Sequence, residues 1–126
     1  MKTIVKTSQA PAAIGPYNQA IRSGNLIFVS GQIPIDPRSG NIEATDIMGQ
    51  TTQCFKNIKA ILSEAGGQME HVVKVTVFLA DMALFADMNK VYESEFDGQF
   101  PARSAIAVKG LPKGALVEIE AIASLI

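Results

Sequence analysis

Arg103 stands in Phe100-Pro101-Ala102-Arg103-Ser104-Ala105, a segment otherwise made of apolar and small residues. A guanidinium there needs a partner, because a charge taken out of water unpaired is costly. Two kinds of partner fit. One is a structural ion pair with Glu118 or Glu120; the other is the carboxylate of a ligand, which the planar fork can grip with two hydrogen bonds. Glu118 and Glu120 are two apart in a strand-like run, so they project from one face. Paired carboxylates can do acid–base work, and alternating glutamates can equally be a solvated face. Tyr17 follows Gly15-Pro16, a turn that can aim its hydroxyl into a cleft or leave it a half-buried ring with a wet tip. Ser30 precedes Gly31, where a missing side chain lets a ligand approach the backbone. No histidine or lysine lies near Ser30 in the sequence to activate it as a nucleophile.

Cys54 and His71 are the only residues of their types. A disulfide or cysteine zinc cluster within one chain is therefore excluded, and so are multi-histidine metal sites and most catalytic triads. No metal ligand set is predicted. Cys54 falls on an apolar helical stripe and reads as core. Glycine motifs that cradle phosphate are absent.

The elements that must position these residues follow from periodicity. Ser23-Gly24-Asn25 separates two β-like runs, Tyr17–Arg22 and Leu26–Gln32, as a hairpin turn does. Ile47, Thr51, Cys54, Ile58, Ile61 and Ala65 then recur at helical spacing. Thr45 or Asp46 can cap the start of that helix, and Gly66-Gly67 ends it. The run 71–80 is rich in β-branched residues and predicts a strand. Strict alternation puts Val73, Val75, Val77 and Leu79 on its apolar face, and Val72, Lys74, Thr76 and Phe78 on the other. Asp81 is placed to cap a second helix carrying Leu84, Phe85, Met88, Val91, Tyr92 and Phe96. Ser104–Val108 and Ala115–Ser124 predict the last strands, the latter with Val117, Ile119, Ala121 and Ala123 on one face. The order is β-β-α-β-α-β-β, with 3–6 as a further edge strand. Two helices cover one sheet face only. The other holds Phe28, Val72, Phe78, Leu116 and Ile122 beside polar groups, a mixture that fits a subunit interface with polar clefts.

Length and composition agree. The 126 residues make one domain, 1–126, with no internal repeat. Eleven basic residues against twelve acidic ones give a net charge of −1, without the basic excess that nucleic-acid binding requires. Apolar residues reach 48% and charged ones only 18%, too apolar for a disordered chain. The mean hydropathy of +0.21 points to apolar surface buried between subunits. The sequence holds neither an N-terminal apolar run of the secretory kind nor a membrane span, so a soluble cytoplasmic protein is expected.

Four segments together carry a resemblance to a known family. Gly15-Pro16-Tyr17-Asn18-Gln19-Ala20, Val29-Ser30-Gly31-Gln32-Ile33-Pro34, Phe100-Pro101-Ala102-Arg103-Ser104 and Leu111 through Glu120 (LPKGALVEIE) resemble, in order and spacing, the signatures of the RidA (YjgF) family. The resemblance runs from about residue 8 to the C-terminus. It implies an α+β, chorismate-mutase-like fold: one mixed sheet with two helices on one face. It implies a homotrimer in which the sheets of three subunits form a central barrel, with clefts between subunits. It also implies a cofactor-free deaminase that hydrolyses 2-imino or 2-enamino acids, released by pyridoxal-phosphate dehydratases, to 2-keto acids and ammonia. Carried over, Arg103 would bind the substrate carboxylate and Glu118 would orient or activate water. Tyr17, Ser30, Gly31, Asn89 and Ala105 would line the cleft. Ala105 stands where several members have cysteine, which leaves only its backbone N–H to contribute. The resemblance favours the ligand clamp for Arg103 over the ion pair. The alternatives from other classes are a non-catalytic sensor of 2-keto acids and a translation-inhibiting ribonuclease, the latter disfavoured by the acidic balance of the chain.

Overall fold

A computed structural model describes residues 1–126. Eight strands and two helices follow one another: β1 (Lys2–Val5), β2 (Ala20–Ser23), β3 (Leu26–Gln32), β4 (Ile35–Asp36), β5 (Asn41–Ile42), α1 (Ile47–Glu64), β6 (Val72–Leu79), α2 (Phe85–Glu95), β7 (Ala102–Ala107) and β8 (Val117–Ser124). Six strands form one sheet in the order β1-β2-β3-β8-β6-β7, and β4 with β5 makes a separate small hairpin. Only the β6–β7 pairing is parallel; α2 supplies its crossover. The sheet is mixed, as expected.

Both helices lie on one face. The α1 stripe buries Cys54, Ile58, Ile61 and Leu62 completely, against Ile27, Val75, Val77, Val117 and Ile119 of the sheet. Truncating a side chain such as Ile58 to alanine there would cost about 2–5 kcal/mol. Asp46 is the N-cap, its carboxylate accepting from the Gly49 N–H at 3.1 Å. The helix ends at Ala65, and Gly66 then takes φ +87°, a conformation that favours glycine. Asp81 does cap a helical turn, but the turn is a short 3₁₀ segment, Met82–Leu84, and α2 starts after it. No helix is long and apolar enough to cross a membrane.

Strict alternation fails at one end of β6. Pairing steps from Val72↔Ala123 to Lys74↔Ile122, so β6 holds one residue more than β8 there. This bulge turns Val72 into the core, 6% exposed, and leaves Val73 outside, 47% exposed. The two valines therefore exchange the faces that their spacing predicts. Beyond the bulge, Val75, Val77 and Leu79 face the helices as expected.

The second face of the sheet carries no helix. It presents Phe28 beside Ile122, Lys74 beside Ala102, Thr76 between Glu120 and Ser104, and Phe78 between Glu118 and Ile106. Phe28 is 42% exposed and Ile106 48%.

Candidate functional site

The predicted site residues gather in two cavities. Tyr17, Ser30, Gly31 and Glu118 line the first, of about 680 Å³, together with Glu120 and the Pro112–Lys113 turn. Asn89 and Arg103 line the second, of about 470 Å³, with Tyr92 and Phe100. Ala105 lies two residues after Arg103 on the same strand face, packed against the core beside the second cavity's strand.

A second β-bulge shapes the first cavity. The β3–β8 pairing breaks between Val29 and Gln32, which releases Ser30 and Gly31 from the ladder. The Ser30 N–H instead donates to the Gln19 carbonyl at 2.9 Å, and its hydroxyl donates to the Asn18 carbonyl at 2.6 Å. Its proton is committed to Asn18, and Ser30 lines the cavity with no base hydrogen-bonded to its hydroxyl. Glu118 lies against Gly31, and its pKa is raised by burial first and by the neighbouring charge of Glu120 second. Behind the bulge, the Cys54 thiol donates to the Gln32 carbonyl at 3.1 Å; burial pushes its pKa well up, as does the charge of Glu118. Lys113, with φ 57°, holds a left-handed conformation on the rim.

Three buried amides fix the segments around this cavity. Gln19 donates to the carbonyls of Thr7, Ala10 and Pro11 and accepts from the Thr7 N–H, tying down the loop that carries Tyr17. Gln50 accepts from the Leu116 N–H at 2.8 Å and donates to Ala44, joining α1 to the start of β8. Asn57 donates to the Ile33 and Ile35 carbonyls. None of the three was singled out from composition or spacing, because a buried amide looks like a surface one in sequence. Gln19 alone had a signal, lying inside the first family-like segment.

In the second cavity, Arg103 Nη1 donates to Asn89 Oδ1 at 2.6 Å. The guanidinium carbon lies 4.5 Å from the centre of the Tyr92 ring and 5.3 Å from that of Phe85. Arg103 makes no ion pair: the three in the chain are Arg38–Asp36, Lys59–Glu95 and Lys90–Asp87. The structural pair with Glu118 or Glu120 is thus overturned within the subunit. The reason is topological. Arg103 pairs with core-facing Val75 and points to the helices, whereas Glu118 pairs with Phe78 on the open face, with β6 between their strands.

Comparison with known proteins bears on both halves. The family model described as Endoribonuclease L-PSP matches residues 7–125. The chain belongs to that family. Within the L-PSP family, it is 54% identical over 123 residues to a RutC family protein of Pyrococcus horikoshii, covering 98% of each chain. It is 45% identical over 123 residues to the 2-iminobutanoate/2-iminopropanoate deaminase of Mus musculus, covering 98% of this chain and 91% of that one. The crystal structure of Escherichia coli TdcF with bound serine superposes with a TM-score of 0.92 at 42% identity, covering 97% of this chain and 98% of that one. The family read from the four sequence segments and the fold it implied, two helices on a mixed sheet, are both borne out.

Proposed function

We propose that this protein is a cofactor-independent deaminase that hydrolyses 2-imino and 2-enamino acids to 2-keto acids and ammonia, acting as a homotrimer with clefts between subunits. The observation that carries this reading is the condition of Arg103. Its guanidinium is held by Asn89 and two aromatic rings, yet no carboxylate of its own subunit neutralises it. A fixed, unneutralised fork beside a cavity suits a ligand carboxylate. The activity named for the mouse relative turns over molecules with that group.

The first cavity supplies the other requirement. A protonated imine is already electrophilic at C2, so the protein needs orientation more than a strong nucleophile. With the carboxylate on Arg103, a water held by Glu118 adds to C2 and gives a proton to the glutamate. The amine nitrogen of the resulting carbinolamine takes that proton. The C–N bond then breaks, the hydroxyl proton leaves with the ammonia, and the 2-keto acid remains. A carboxylate whose pKa is raised accepts a proton more readily than an ordinary one. Glu118 suits this role better than Glu120, which is exposed.

Because Arg103 and Glu118 face opposite sides of the sheet, one ligand can meet both only across a boundary between copies of the chain. Exposed apolar residues on the open face, Phe28 and Ile106 among them, give such copies a surface to bury. Three-fold symmetry comes from the family resemblance alone.

Coupling the protein to a threonine dehydratase tests the reading. Faster release of 2-ketobutyrate supports it; tight binding of 2-keto acids without acceleration would favour the sensor instead. Arg103→Lys keeps the charge and loses the fork, and should lower kcat/KM by roughly thirtyfold, about 2 kcal/mol.

A further inference from the structure

Phe85, Asn89 and Tyr92 are spaced i, i+4 and i+7 along α2, so they share one stripe of the helix. All three touch the Arg103 guanidinium: Asn89 through a 2.6 Å hydrogen bond, and Tyr92 and Phe85 through ring faces at 4.5 and 5.3 Å. The Tyr92 ring is itself braced, edge-on to Phe55 at 5.8 Å and tilted against Phe96 at 5.0 Å. It is 4% exposed, and its buried hydroxyl has no hydrogen-bond partner in the subunit. A buried tyrosine normally satisfies its hydroxyl. Here the ring, not the hydroxyl, makes the contacts that matter locally.

We propose that this one-sided stripe of α2 is an arginine clamp and that Tyr92 is its principal positioning residue. The clamp fixes the plane of the Arg103 fork before any ligand arrives. The proposal rests on the reading that Arg103 takes a ligand carboxylate. Free arginine side chains sample many rotamers, and binding must then freeze them. A guanidinium laid on a braced aromatic face, with one N–H held by an amide, has given up that freedom during folding. Only Nη1 donates to a side chain of the subunit, so the remaining N–H groups are left for the carboxylate. The clamp thus acts on affinity and on the choice of a planar anion, and less on the later proton transfers.

The test compares Tyr92→Leu with Tyr92→Phe, using 2-ketobutyrate as a stable ligand and ¹⁵N relaxation at Arg103 Nε as a direct readout. Tyr92→Phe keeps the ring face and should leave the Arg103 Nε rigid, with any change in binding several-fold smaller than in Tyr92→Leu. Tyr92→Leu should make Nε mobile in the unliganded protein. It should raise the Kd for 2-ketobutyrate, and the KM for 2-iminobutyrate, about tenfold, with kcat changed less than about twofold. In an Arg103→Lys background the same substitution should add less than about twofold, because the clamp then has no fork to hold. An equal loss in both backgrounds, or an Nε that stays rigid in Tyr92→Leu, overturns the proposal. Should Tyr92→Leu fail to fold, Phe85→Leu, at the less buried start of α2, takes its place with the same readouts. If the protein neither binds 2-ketobutyrate nor turns over imines while Nε still loosens in Tyr92→Leu, the clamp stands and the deaminase reading falls.

Discussion

The Glu118 side chain occupies the space that a side chain on Gly31 would need. An ideal Cβ at Gly31 would lie 2.8 Å from Glu118 Oε2, 3.0 Å from Cδ and 3.3 Å from Cγ. Oε2 would have to move outright and Cδ and Cγ to give by a few tenths of an ångström, so the carboxyl end shifts as a whole. The absence of a side chain at position 31 is therefore what sets the carboxylate against the bulged backbone. Gly31→Ala should leave the fold intact and push Glu118 away from its place over the bulge. We expect kcat/KM for 2-iminobutyrate to fall at least tenfold, about 1.4 kcal/mol, with little change in melting temperature. Wild-type turnover in that variant would detach Glu118 from the reaction.

Glu118 also links activity to stability through pH. Burial and the Glu120 charge raise its pKa above the ordinary 4.5 in the folded state. A raised folded pKa contributes stability that is fully present below the unfolded value and is lost as pH rises through the folded one. Glu118→Gln has no such loss. Calorimetry should find the variant more stable than the natural protein at pH 7 and equal to it near pH 4, while turnover is largely abolished. Glu120→Gln should lower the Glu118 pKa, shift the acid limb of the pH–rate profile downward and cost less activity. A variant Glu118→Gln that melts lower at pH 7 would contradict the electrostatic cause.

Assembly can be separated from folding by choosing the right residue on each side of the sheet. Phe28 pairs with Ile122 on the open face, so Phe28→Lys should leave the subunit folded while placing an unpaired charge in the contact between copies. Sedimentation should shift from about 40 kDa, three chains of 13.4 kDa, to the single chain, and activity should vanish with it. Val72→Lys is a different experiment: it buries the charge in the core of the subunit and should unfold it.

Much of the scaffold could be read from the residues. The α1 stripe, its Asp46 cap and the alternation of β8 are local patterns, and local patterns are written in adjacent residues. What escaped was long-range. The two bulges, at Ser30–Gly31 and at Val73, each shift a register by one residue; Gly31 inside a strand run is a sign of the first, but no residue marks the one at Val73. Strand order was equally hidden. That Arg103 falls opposite core-facing Val75 while Glu118 falls opposite Phe78 on the other face depends on the register across a parallel crossover, which periodicity does not encode. Motif resemblance picked out residues that the fold sets beside two cavities, yet it could not tell that one chain holds them in two separate places.

That separation has a genetic consequence. If every working cleft draws its arginine from one chain and its glutamate from a neighbour, two different dead proteins can repair each other. Arg103→Ala chains still supply a sound Glu118, and Glu118→Ala chains still supply a sound Arg103. Unfolded together in equal amounts and refolded, they should assemble at random and recover about a quarter of the natural activity, since half the arginines and half the glutamates are intact and must coincide. Mixed as preformed oligomers they should recover little until subunits exchange, and the rise of activity would then report the exchange rate. Silence after co-refolding would mean that each chain works alone.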